Sequence, residues 1–369
     1  MKDKLLTTLK ERLSEIAYLG SLSALANWDQ EVHMPHKGAE HRAIAISHLS
    51  TILHDKFVAI DADGTLTKLK KLLDQKKLKG DDAVIVHETW RTFDREHKLP
   101  TVFVKELAQV TSQAQGVWAE ARRNNDFKLF LPWLKKIVAL KQKEAEFVGY
   151  EDSPYDALLD VYEPGMTSGE TTRVLNDVKD FLVPFLQKIR DSKTKINKKL
   201  LAGTYPIDKQ LEFNTKLAQE LGFDMQAGRL DKSTHPFASG FHPHDVRITT
   251  RFNEKDVFES IGATIHETGH ALYEQGLRHE TYGTPLSETI SLGIHESQSR
   301  LWENMIGKGM PFWKYFYPKL QKEFPVPFKK VKLADFYKAR NQVTSSLIRI
   351  ESDEATYNLH IIIRYEIEK

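Results

Sequence analysis

Ile265-His266-Glu267-Thr268-Gly269-His270-Ala271 sits in the middle of a stretch with helical periodicity. Its reading decides the fold and the chemistry expected of this chain. The periodic segment opens at Asn253, with Asp256 three residues on as a capping partner, and closes at Gly276. Residues four apart share one face of a helix, so His266 and His270 can reach a single ion. Glu267 is then turned by about 100° from His266, near that ion but free to hold a water molecule. The H-E-x-x-H string is the spacing expected of a metal-assisted hydrolase, although two surface histidines on an ordinary amphipathic helix would read the same way.

A catalytic zinc takes three protein ligands and keeps one position open. The chain has no cysteine, so the third ligand must be His, Asp or Glu. Glu296, on the next helical pattern in Ser287-Glu-Thr-Ile-Ser-Leu-Gly-Ile-His-Glu-Ser-Gln298, is the best candidate. His295 competes with it, and a carboxylate one turn from Arg300 is also placed for a plain ion pair. Gly283 and Pro285 lie between the two motifs and let the chain reverse, laying the second helix on the first. Gly269 and Gly293 each cost about 1 kcal/mol relative to alanine inside a helix. They are explicable if backbones or a substrate approach closely there.

Outward from this centre, helical periodicity dominates. Leu5, Leu9, Leu13 and Ile16 fall on one face of a first helix, and amphipathic segments follow from Ala39 and at 64–78, 81–97, 101–124 and 126–148. Thr167-Ser-Gly-Glu170 has the spacing of a capping box, and a helix to about Lys193, kinked at Pro184, is expected behind it. Between 234 and 252 a small β element is expected, because Asp245-Val-Arg-Ile-Thr-Thr-Arg-Phe252 alternates polar and apolar residues. From Asn253 the helical period runs on to the last residue. The expected class is mainly α, as one large domain over 1–369, with a mostly helical part at 1–197 and a metal-site part at 198–369.

Composition narrows the function. Among 369 residues, 53 are Lys or Arg and 51 are Asp or Glu, a balance that argues against a nucleic-acid binder. The missing cysteines exclude a disulfide scaffold, a thiol nucleophile and an iron–sulfur cluster. The N-terminal MKDKLLTTLKERL lacks a signal-peptide pattern, and no run of about 18 apolar residues occurs, so neither a membrane span nor export is expected and the cytoplasm is the expected location.

Several motifs, taken together, resemble the M32 metallocarboxypeptidases, the carboxypeptidase Taq family. These are Trp28-Asp-Gln-Glu31 with Met34-Pro35 and Gly38-Ala-Glu40, Tyr155-Asp-Ala-Leu-Leu-Asp160 with Tyr162-Glu-Pro-Gly-Met-Thr167, His235-Pro-Phe237, Asp245-x-Arg247-x-Thr249, His266-Glu267-x-x-His270, His295-Glu-Ser-Gln298 and Ile348-Arg349-x-x-Ser352-Asp353. The resemblance implies a helical, groove-bearing peptidase, usually a homodimer. It would hold a divalent metal, commonly Zn2+, with another such as Co2+ as an alternative. It also implies His266, His270 and Glu296 as metal ligands and Glu267 as general base. A peptide with a free C-terminus is the implied substrate. Its carboxylate suits a bidentate arginine, Arg349 first and Arg247 second. His235 would help to shape the groove, and Asp245 and Asp353 would support the ligands from behind. His242-Pro-His244 reads as a solvent-exposed loop pair. The family's G-x-x-Q-D-x-H-W motif does not occur in this sequence. The expectation that follows is a chain lacking the family's C-terminal segment, with a weak or inactive metal-binding remnant as one alternative and an endo-acting oligopeptidase as another.

Overall fold

A computed structural model describes residues 2–349 and 352–369, without the side chain of Lys198. The helices before the sheet are α1 (Lys2–Val32), α2 (Ala39–Val58), α3 (Thr65–Asp74), α4 (Gly80–Glu96), α5 (Thr101–Asn124), α6 (Phe127–Val148), α7 (Pro154–Leu159), α8 (Ser168–Arg190) and α9 (Ile207–Glu220). Strands β1 (Gly228–Lys232), β2 (Ala238–His242) and β3 (Asp245–Thr250) form one sheet in the order β1-β3-β2. After it come α10 (Val257–Gln275), α11 (Leu292–Arg300), α12 (Met310–Glu323), α13 (Pro325–Phe328), α14 (Leu333–Arg340) and α15 (Tyr357–Glu368). The fold is mainly α with a small sheet, as the periodicity predicts.

The chain divides into two compact units. The first runs up to Leu158 and includes Ser239–Val246 and Glu274–Ile290. Its core gathers Leu6, Leu9, Leu13, Ile60, Leu66, Leu69, Leu78, Ile85 and Val86, with Leu5 and Ile16 packed at its margin. That is the apolar stripe expected of the first helix. Trp28 is buried, and its neighbours Asp29 and Gln30 bond to Arg42 at 2.5 Å and Ser112 at 2.7 Å. One helical segment here, His36–Asp61, is long and apolar enough to cross a membrane by length and composition. It carries Arg42, His48, His54 and Asp55 along its length, so it is not an uninterrupted apolar run.

The second unit comprises Leu159–Ala238, Arg247–Tyr273 and Ser291–Lys369. Its core is aromatic, built around Tyr205, Phe213, Phe258, Trp313, Phe316, Tyr317, Phe328 and Phe336 with Val257, Ile261 and Ile265 of α10. One face of α10 is therefore fixed in apolar packing, and its other residues project from a rigid support. The Thr250 hydroxyl at the end of β3 donates to the Ser260 carbonyl at 3.1 Å, which ties the sheet to α10. The Thr249 hydroxyl lies in a knot with Ser233 at 2.7 Å and the Phe237 amide at 2.9 Å. The His-Pro-Phe and Asp-x-Arg-x-Thr stretches are thus bonded to one another.

Local signals hold where side-chain chemistry dictates them. Thr167 accepts from the Glu170 amide at 3.2 Å, and α8 continues through Pro184. Three expectations need correction. α10 begins at Val257 rather than Asn253, because Asn253 accepts from the Lys255 amide at 2.9 Å in a turn of its own. Asp256 then caps the helix by accepting from the Phe258 amide at 2.9 Å. The sheet also begins earlier than 234, since β1 starts at Gly228, where alternation around one buried residue, Leu230, is too short to mark a strand. Helical structure does not run on unbroken from Asn253. Residues 276–291 form only short turns, and between Arg340 and Tyr357 the described chain is largely irregular. There the Asp353 carboxylate accepts from Thr344, Ala355 and Thr356 amides at 2.8, 2.9 and 3.0 Å. Such side-chain bonds compete with the helical ladder.

Candidate metal centre

The site lies wholly in the second unit, on α10, α11 and the turn after them. His266 and His270 stand one turn apart with ring centroids 4.9 Å from each other. With Glu267 they form the group of potential metal-binding side chains found among the described residues, their ligand atoms all within 4.8 Å. Glu296 on α11 presents Oε2 to both histidines, 3.6 Å from His266 Nε2 and 3.3 Å from His270 Nε2. A tetrahedral ion with bonds of about 2.0–2.2 Å separates its ligand atoms by about 3.3–3.6 Å. The two nitrogens and the carboxylate oxygen fit a divalent metal.

α11 reaches this position because its backbone touches that of α10. A Cβ on Gly269 would lie 2.7 Å from Ser299 Cα and 2.8 Å from the Gln298 carbonyl oxygen. The bare backbone at 269 is what lets the helices close. Gly269→Ala is expected to destabilise the fold by about 1–3 kcal/mol through overpacking. Thermal unfolding of the purified variant, compared with the parent, measures that cost. Gly293 faces a side chain instead, since an added Cβ would collide with the Glu163 carboxylate.

Behind the three candidate ligands lies an ion-pair lattice. His266 Nδ1 is 2.8 Å from Glu303 Oε2, which aims the opposite nitrogen toward Glu296. Arg300 donates from Nε to Glu296 Oε1 at 2.9 Å and from Nη1 to Glu303 Oε2 at 3.0 Å. Glu296 therefore turns one oxygen to the histidines and pairs the other with Arg300. The Arg300 guanidinium packs over the Tyr357 ring, 3.7 Å from its centroid. His295 stacks on His270, with centroids 4.5 Å apart.

Glu303 was not legible in the sequence as part of the site. It lies in a π-helical turn, Leu301–Ile306, that continues α11. π turns recur at functional sites, but no residue pattern announces them. Its spacing of seven from Glu296 was the one available signal.

The electrostatics follow from burial and partners. Glu267 is 5% exposed. Burial, reinforced by the charges of Glu296 and Glu303 against those of His266 and Arg300, pushes its carboxyl up to about 7. Burial opposes charge on Glu296 too, but His270, His266 and Arg300 outweigh it and hold this carboxyl below the ordinary range. Burial also works against a charged His266, yet its bond to Glu303 and the surrounding carboxylates raise it above the ordinary value. His270 is lowered, chiefly by burial, with His266 and His295 adding to the effect. An ionised Glu296 and a neutral His270 are the forms that bind a metal.

The other expected site residues are dispersed. Arg349 is half-buried and donates from Nη1 to the Tyr357 hydroxyl at 2.8 Å. Residues 350 and 351 of its motif lie outside the described residues. Asp353 spends its oxygens on Thr344, Ala355 and Thr356, including the Thr356 hydroxyl at 2.9 Å. It organises the loop that carries Arg349 rather than touching the histidines. His235 and Arg247 are half-buried near the strands of the second unit, and Asp245 falls in the first unit.

Comparison with known proteins agrees with the geometry. The family model for carboxypeptidase Taq (M32) metallopeptidases matches residues 8–369. Thermostable carboxypeptidase 1 of Thermus thermophilus is 43% identical over 370 residues, spanning 98% of this chain and 72% of that protein. Carboxypeptidase 1 of Bacillus subtilis is 39% identical, over 97% of this chain and 71% of its own length. The crystal structure of BsuCP superposes with a TM-score of 0.95 at 37% identity, covering 99% of this chain and 73% of that one. A histidine pair on one helix, a carboxylate on the next at ligand spacing, and these matches lead to one conclusion: the chain belongs to the carboxypeptidase Taq (M32) family and is a metal-dependent carboxypeptidase.

Proposed function

We propose that this protein is a zinc carboxypeptidase that removes C-terminal residues from peptides, with His266, His270 and Glu296 holding the metal and Glu267 as the general base. The observation that carries the reading is the spacing of Glu296 Oε2, 3.6 and 3.3 Å from the two Nε2 atoms, beside a buried carboxyl. A bound zinc ion supplies Lewis acidity and a water whose pKa falls to around 7. Glu267 takes the proton of the attacking water and returns it to the departing amine nitrogen, so the peptide bond breaks with no net change in protons on the carboxyl. Burial raises this carboxyl above the ordinary range in the metal-free site, in the direction that suits a group which must both accept and release a proton. Arg300 and Glu303 fix the two ligands they touch.

Arg349 is the proposed receptor for the substrate's terminal carboxylate. It is half-buried, and its Nη1 donates to the neutral Tyr357 hydroxyl at 2.8 Å, a contact that leaves its charge in place. Arg247 is the second candidate, and His235 a wall of the binding site. The family resemblance supports a homodimer, and the proposal includes a cytoplasmic location and one peptidase domain over 1–369.

Removing the metal with a chelator is expected to abolish peptide hydrolysis, and adding back Zn2+ to restore it, with Co2+ as the comparison. A peptide whose C-terminus is blocked as an amide is expected to resist the zinc-loaded enzyme. Cleavage of that peptide would point to an endo-acting oligopeptidase, and bound zinc without turnover on either peptide would refute the enzymatic reading.

A further inference from the structure

Tyr357, the first residue of α15, touches both halves of the proposed site at once. Its ring lies under the Arg300 guanidinium at 3.7 Å, and Arg300 in turn binds Glu296 at 2.9 Å and Glu303 at 3.0 Å. Its hydroxyl accepts from Arg349 Nη1 at 2.8 Å, and the Arg349 guanidinium carbon is 5.7 Å from the same ring. The backbone that carries the ring is tied down, because the Tyr357 amide donates to the Asp353 carbonyl at 3.0 Å. A flexible arginine loses much side-chain entropy when it is held in one geometry. A neutral hydroxyl can hold Arg349 without cancelling its charge, as a carboxylate partner would. Cation–π packing does the same for Arg300 on the face of the ring.

We infer that Tyr357 is a positioning residue that holds Arg349 in register with the ligand lattice around Glu296, so that the reader of the substrate carboxylate and the metal ligand share one rigid aromatic spacer. The inference rests on Arg349 being that reader. Tyr357 itself touches neither the reacting bond nor the metal.

The two halves of the residue separate experimentally. Tyr357→Phe removes the hydroxyl and keeps the ring under Arg300, whereas Tyr357→Leu removes both. Binding is measured by calorimetry on zinc-loaded protein in a Glu267→Gln background, where peptide is not consumed. The ligands are one peptide with a free C-terminus and the same peptide as its amide. Zinc affinity is measured separately by chelator competition. Tyr357→Phe is expected to weaken binding of the free acid about tenfold, the effect of losing one hydrogen bond to a charged group. It should leave the amide's binding and the zinc affinity unchanged. Tyr357→Leu should weaken the free acid at least as much and also lower zinc affinity. Introduced into Arg349→Ala, Tyr357→Phe should have no further effect on the free acid.

If Tyr357→Phe moves the acid and the amide equally, or moves neither, the positioning role is overturned even where Arg349→Ala weakens the acid alone. If Arg349→Ala leaves acid binding intact, the reading of Arg349 fails and this inference fails with it. Because Tyr357→Phe keeps the packing, the result does not depend on whether the leucine variant folds.

Discussion

Glu267→Gln is expected to lower kcat by about 10²- to 10⁴-fold, the range for loss of a positioned general base, while leaving bound metal near one equivalent per chain. Gln keeps the volume of Glu but cannot accept the water proton. The side chain is 5% exposed, so no bulk water stands ready to substitute for it. Packing should tolerate the change, because the swap conserves volume at a close-packed position. Metal analysis alongside peptide turnover checks both halves. Unchanged turnover would remove Glu267 from the mechanism. Lost metal would reassign it as a ligand.

The second large effect is expected from Glu296→Ala, in metal affinity first and activity as a consequence. Loss of a group that merely supports a ligand costs about 10–100-fold in metal affinity. Removing the carboxylate that lies within 3.6 Å of both His266 and His270 should exceed that range. Arg300 would also lose its bond to Glu296 Oε1 at 2.9 Å, which removes one of the two carboxylates that bond this half-buried cation. Chelator competition gives the affinity directly. A variant that keeps parental affinity would show that Glu296 is held only as the partner of Arg300.

Much of the fold was legible because its signals are local. The first helix buries the stripe that its leucines draw, and Thr167 caps α8 through the bond its spacing predicts. The histidine pair was legible for the same reason, since four residues on a helix is a fixed geometry. Glu296 required one further step, that two glycine-containing helices lie together, and the close approach at Gly269 supplies it. The remainder depends on contacts distant in sequence or on unmarked backbone. Glu303 enters the site through a π turn, and Tyr357 through a stretch that Asp353 pulls out of helical form. β1 alternates around a single buried residue, Leu230, between Arg229 and Asp231, which bond to each other at 2.7 Å, and that is too short a pattern to mark a strand. Periodicity reports which face of an element is buried. It does not report which side chains from different elements converge.

The contact at Gly269 also changes which positions count as part of the site. A metal ligand is usually adjusted through its side chain, by length or rotamer. Here the distance between the histidine pair and Glu296 is set by main chain resting on main chain, at a residue without a Cβ. Every alternative amino acid at 269 inserts a spacer between the helices, and no rotamer change at 266, 270 or 296 can take that spacer out. Position 269 therefore has no conservative replacement, and an engineer redesigning this centre for a larger ion would begin there, with the gauge that sets the gap.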